Sequence, residues 1–115
     1  MAGGESGMTG PIIFAEETPR EQFTQEGVVV TMRANERTTG DTWWRRSRTD
    51  EKQGECHVER IAGYVRFGDT EMVEHVDESG FRDLRKWEDA FRRVNNGACH
   101  GGFLYRVTEG HKGGE

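Results

Sequence analysis

Long apolar runs are missing from this 115-residue chain, and nothing in it approaches the ~20 consecutive apolar residues that span a bilayer. That absence excludes a membrane-spanning helix. With no charged-then-apolar pattern at the N-terminus, it predicts a cytoplasmic protein with no membrane partner. Proline and cysteine are scarce, at two residues each. Two cysteines cannot define a disulfide framework, so Cys56 and Cys99 are expected to be buried thiols in a reducing compartment. Each precedes a histidine, giving Cys56-His57 and Cys99-His100. Neighbouring residues of a strand point to opposite faces, so neither pair chelates one ion without a turn or bulge. No metal and no cofactor are expected. An overall basic excess is missing too: 16 Lys and Arg stand against 21 Asp and Glu, a net charge of −5. Such a balance argues against gripping duplex DNA through overall charge.

What is present suits one small, heavily solvated domain. Hydrophobic and charged residues each make up 32% of the chain, and the length admits one core and not two. Charge is unevenly spread. Residues 1–27 carry five Glu against Arg20 alone, whereas residues 28–48 carry five Arg against Glu36 and Asp41. The middle of the chain is thus a basic island in an acidic protein.

Residues 1–10, MAGGESGMTG, are glycine-rich and read as a mobile tail, as do residues 110–115; the domain is expected over 11–109. Ile12 to Phe14 can form a first strand. Thr18-Pro19-Arg20-Glu21 reads as a helix start with Thr18 as cap, and Gly27 ends that helix. Val28 to Arg33 is a strand, Asp41 to Arg46 a second, Cys56 to Phe67 a long third bent at Gly63, and Thr70 to Val76 a further one. An amphipathic helix runs from Ser79 or Gly80 to about Asn95, with Phe81, Leu84, Trp87, Phe91 and Val94 as its apolar stripe. Glu88 to Arg92 and Asp89 to Arg93 are favourable pairs on its other side. Asn95-Asn96-Gly97 stops it, and Phe103 to Val107 closes the chain as a final strand.

The strand Val28 to Arg33 is the most informative segment. Val28, Val30 and Met32 share one face and Val29, Thr31 and Arg33 the other. A hydroxyl followed two residues later by a guanidinium is either one wall of a small anion or carbonyl site or the wet side of an edge strand. Arg33, Arg37, Arg45, Arg46 and Arg48 offer cations for phosphate, and Trp43 or Trp44 a stacking platform.

The order of these pieces resembles the ASCH domain family, whose members are small β-barrels related to PUA RNA-binding domains. The resemblance rests on Thr31-Met32-Arg33, Gly40-Asp41, Ser79-Gly80-Phe81 and the Phe103 to Val107 strand, and covers Ile12 to Thr108. It implies an α+β fold: a small mixed, PUA-like β-barrel of five or six strands, with one short N-terminal helix and one amphipathic helix before the last strand. It also implies a cleft for RNA or a modified nucleobase, formed partly by the Thr31 strand and the Gly40-Asp41 loop. Together with the basic and aromatic residues, this makes a monomeric binding module for RNA or a nucleotide-like ligand the expectation, with Thr31, Arg33, Arg37, Asp41, Trp43, Trp44, Arg45 and Arg46 as contacts. Some members of the family deacylate an N4-acylated cytidine with a lysine, a threonine nucleophile and a glutamate. Thr31 matches the threonine, but the lysine position holds Val28 and the glutamate position Ser79, with Glu78 beside it. A hydrolase with Thr31 and Glu78 as catalytic groups is therefore the alternative. A protein-interaction adaptor using the charged helix face, through Arg85 and Arg92, is a third reading.

Overall fold

Gly27 is where the first helix must stop and the first long strand begin. Its φ of 80° is left-handed, and its N–H donates to Phe23 O at 2.8 Å, the helix-ending bond that glycine makes without strain. A computed structural model of the chain describes residues 11–95 and 100–110. The tail expected over 1–10, Asn96, Gly97, Cys99 and residues 111–115 lie outside them. Strand β1 (Ile12–Ile13) leads into helix α1 (Glu17–Glu26), followed by strands β2 (Val28–Arg33), β3 (Gly40–Arg45) and β4 (Gly54–Arg66). Short helices α2 (Thr70–Glu74) and α3 (Val76–Ser79) precede α4 (Leu84–Val94), and β5 (Gly101–Glu109) closes the described chain.

The strands form one mixed sheet in the order β1-β3-β4-β5-β2, with β1 parallel to β3 and every other pair antiparallel. The sheet curls into a half-barrel, accompanied by four helices among the described residues. Its register shifts between Arg60 and Ala62 and again between Ala62 and Tyr64, around Gly63, as a bulge does when it bends a long strand. The curl brings the two edge strands together: both terminal nitrogens of Arg33 on β2 donate to Ile13 O on β1 at 3.3 Å.

Both faces of the sheet are covered. Thr31 pairs with Tyr105 and Val29 with Val107, and this inner face carries the cluster of Ile12, Phe14, Phe23, Val29, Trp44, Cys56, Val58, Tyr105 and Val107. Phe14, Phe23 and Trp44 meet tilted or edge-on, with ring centroids 5.3–5.8 Å apart, the arrangement that aromatic quadrupoles favour. Val30, Met32 and Leu104 face the other way, onto Met72, Trp87 and Phe91. Burial of each large side chain contributes roughly 1.5–3 kcal/mol. A wet second face for β2 is thus corrected: Thr31 is only 9% exposed.

Two element readings change. Thr70 to Val76 is helical, not a strand. Met72 and Val76, four apart, turn to the helix-side core while Val73 is exposed; a strand would have put Glu74 on the same face as both. The amphipathic helix is also shorter than its stripe. Gly80, with φ of 89°, ends α3, and α4 begins only after Asp83, whose Oδ1 accepts from Lys86 N at 2.9 Å as an N-cap. Helix α1 likewise begins at Glu17, after an N-cap position held by Glu16 with no side-chain cap, so Thr18 lies in its first turn.

Candidate functional site

The curl leaves a seam between the free edges of β1 and β2, and α4 does not fill it. A cavity of about 380 Å³ lies there. Ile13, Phe14, Ala15 and Glu16 form one side of it, and Val30 to Ala34 the other. Phe81, Trp87, Ala90, Phe91, Val94 and Asn95 cover it from the helix layer, and Ser47 and Arg48 reach it from the loop after β3. Thr31 and Arg33 therefore do meet in one hollow. The Gly40-Asp41 loop is not among its walls.

Arg33 is the unusual group. Its two terminal nitrogens share Ile13 O at the long end of hydrogen-bonding distance. Its Nε is fully buried and has no partner. No carboxylate pairs with it among the described residues; instead its guanidinium lies 5.8 Å from the centre of the Phe14 ring. Burial, with a smaller push from the charge on Arg37, lowers its pKa from 12.5 to about 10, because desolvation disfavours the charged form. It remains protonated at neutral pH and is a donor, not a base. Beside it, the Thr31 hydroxyl has no hydrogen-bond partner among the described residues. Arg48, at the cavity wall, is exposed and makes no ion pair among them either. The third charged group on the wall, Glu16, accepts from Arg93 Nη2 at 2.8 Å, which ties the start of α1 to the last turn of α4.

The remaining sequence candidates sit elsewhere. Arg37 lies close to the inner core, its main-chain N–H donating to the Tyr105 hydroxyl at 2.8 Å and its Nε to Thr38 O at 3.1 Å; burial lowers its pKa too. Asp41 accepts from His57 Nδ1 at 2.8 Å on the exposed surface. Trp44 is buried among the inner aromatics and presents no ring face for stacking. Trp43 is half-buried beneath the Arg45 guanidinium, 5.3 Å from its ring centre, and Arg46 is held by Asp50 at 2.7 Å. Glu78 accepts from Arg106 at 3.0 Å. Arg106 pairs with Val30 across the ladder, so this carboxylate belongs to the face opposite the Thr31 side chain. Of the helix-face residues, Arg85 is exposed, while Arg92 lies over the Phe67 ring at 4.7 Å and reaches Asp89. Arg93 takes Glu16 as its partner and not Asp89.

Several wall residues carried no functional signal in sequence. Phe81, Trp87 and Phe91 have the spacing of a core stripe, which they also are. Glu16 precedes a helix and reads as an ordinary acidic residue at its N-terminal boundary. Only Arg48, within the basic island, carried a sign of its role.

The fold and site define a small α+β half-barrel with a cationic, largely apolar cavity at its seam. No family model, no curated protein and no solved structure matches the chain. Among the described residues, no helix is long and apolar enough to cross a membrane.

Proposed function

We propose that this chain is an ASCH-like, PUA-like binding module that receives a nucleotide-like ligand, free or as one unit of a single-stranded RNA, in the cavity beside Thr31 and Arg33. The observation that carries this reading is Arg33, half-buried in the wall of a cavity that Thr31 also lines, with a buried, orphaned Nε and no carboxylate partner among the described residues. A buried cation without a counter-charge is costly, and a ligand that brings an acceptor removes that cost on binding. The volume, about 380 Å³, lies at the small end of the roughly 300–1,000 Å³ of ligand sites. It suits one nucleotide and not a helical stretch. Phe81 and Phe91 supply an apolar wall for a base, and the exposed Arg48 supplies a cation for phosphate.

Titration of the full chain with mononucleotides and short single-stranded RNA at low ionic strength tests the reading. Binding should weaken with added salt and with Arg48→Glu, while Arg45→Glu and Arg46→Glu, away from the cavity, should leave the mononucleotide affinity unchanged. Absence of binding by every mononucleotide and RNA at low salt overturns it. The hydrolytic alternative draws support from one observation, that Thr31 and Glu16 both line the cavity. Release of cytidine from its N4-acyl derivative, lost in Thr31→Ala, is its signature; no turnover by the unaltered chain removes it.

A further inference from the structure

We infer that Arg33 is the specificity-determining residue of this cavity and that it selects a 6-oxopurine, guanine or hypoxanthine, over adenine. The inference rests on the nucleotide reading above and deepens it. A guanidinium carries a planar set of N–H donors, and its Nε and adjacent terminal nitrogen form a parallel pair along one edge. In Arg33 that edge is the unsatisfied one: Nε has no partner, and both terminal nitrogens are spent on a single carbonyl at 3.3 Å. Bonds of that length are weak, so a better acceptor pair draws the fork off Ile13 O and turns the Nε edge towards the cavity. Guanine and hypoxanthine set two acceptors, O6 and N7, side by side at the spacing of those donors; adenine sets an acceptor beside an N–H2 donor. Against adenine, one arginine donor would face another donor in an apolar enclosure, where an unpaired polar group costs most.

The rest of the cavity fits the same pose. Phe14, 5.8 Å from the guanidinium and itself on the cavity wall, offers a ring face for the turned fork to lie against. The wall from α4 and Phe81 accommodates the ring system, and Arg48 at the exposed side meets the phosphate. The deep cation thus reads the base and the outer one the backbone, the division of labour general to nucleic-acid recognition.

Calorimetric titration of the full chain with GMP, IMP, AMP and 7-deaza-GMP decides the matter. GMP and IMP should bind alike and roughly 5- to 150-fold more tightly than AMP, the discrimination one bidentate contact provides. The 7-deaza compound, which lacks the N7 acceptor, should fall towards AMP. Arg33→Lys, which keeps the charge and loses the fork, should bring GMP and AMP within twofold of each other. If that variant fails to fold, the ratios on the unaltered chain stand as the test by themselves. AMP binding as tightly as GMP, or 7-deaza-GMP binding undiminished, overturns the assignment of Arg33 and leaves the nucleotide reading intact. Failure of all four to bind overturns the purine assignment, and failure of the pyrimidine mononucleotides and short RNA as well overturns the nucleotide reading itself.

Discussion

The two faces of the curled sheet are built from similar side chains and close to very different degrees. On the inner face, Phe14 and Phe23 are each 1% exposed and interlock with Trp44, and β1, α1 and three further strands seal them. On the helix side, Trp87 and Phe91 are buried too, but they border the seam cavity, and Val94 at the end of the same stripe is 56% exposed. The inner face is a core that meets the cavity only at Phe14, Thr31 and Arg33, and the helix side is a core with a space left in it. Stability and ligand accommodation are therefore separable, and mutations can be used to separate them.

The largest effect should come from the sealed face. Phe23→Ala should cost about 3–5 kcal/mol in urea unfolding, and Phe91→Ala, whose neighbours can relax towards the existing cavity, at least about 1 kcal/mol less. Equal costs would break the contrast between the faces. Next comes the strand that links them. A Cβ on Gly102 would stand 2.4 Å from Arg33 O and 2.9 Å from Met32 Cγ, so Gly102→Ala should cost about 1–3 kcal/mol by overpacking. Because it displaces β2, it should also weaken mononucleotide binding; loss of stability with full affinity would show that the cavity does not depend on where β2 lies.

A third test uses pH on the sealed face alone. Burial raises the Cys56 thiol from 9.0 to about 11. The unfolded chain releases this proton near pH 9 while the folded chain keeps it, so the stability is present in full below pH 9 and declines as pH climbs through 11. The loss should be about 3 kcal/mol, and Cys56→Ala should remove this part of the slope, leaving the opposite contribution of Arg33, whose lowered pKa of about 10 makes stability rise above that pH. A slope unchanged in that variant would mean that the inner core is wetter than its packing indicates. The smallest expected change in stability is at Thr31. Replacing its unpartnered hydroxyl in Thr31→Val breaks no hydrogen bond and should leave unfolding unchanged or slightly harder, yet weaken mononucleotide binding several-fold. A large loss of stability would show that the hydroxyl holds a structural partner.

Local chemistry made much of this legible. The bounds of β2, the left-handed Gly27, the bend near Gly63 and the apolar stripe of α4 follow from alternation, positive φ and helical period, each a property of a short window. The segment 70–76 was misread because TEMVEHV is rich in valine and its apolar residues fit either period over so few positions; the choice was made by which of them could reach the helix-side core. The site was half legible. Thr31 and Arg33 were visible as a pair on one strand, but the wall that completes their cavity comes from Glu16, Arg48 and Trp87, which no sequence spacing connects. Closure of β1 against β2 brings them there, a contact between opposite edges of the sheet. Trp44 illustrates the same limit from the other side, since adjacent tryptophans on one strand must face apart, and only the packing of Phe14 and Phe23 decides which is swallowed.

The strand order has a consequence for how this molecule comes into being. Strand β5 lies between β4 and β2, so β2, made early, has no strand beside it until residues 101–109 have been synthesised. A chain emerging from the ribosome would hold Val29 and Val30 without their ladder until β5, the last of these strands in sequence, has followed. Contacts that distant in sequence slow folding, so the pairing of β2 with β5 sets a long loop to close before the sheet is complete.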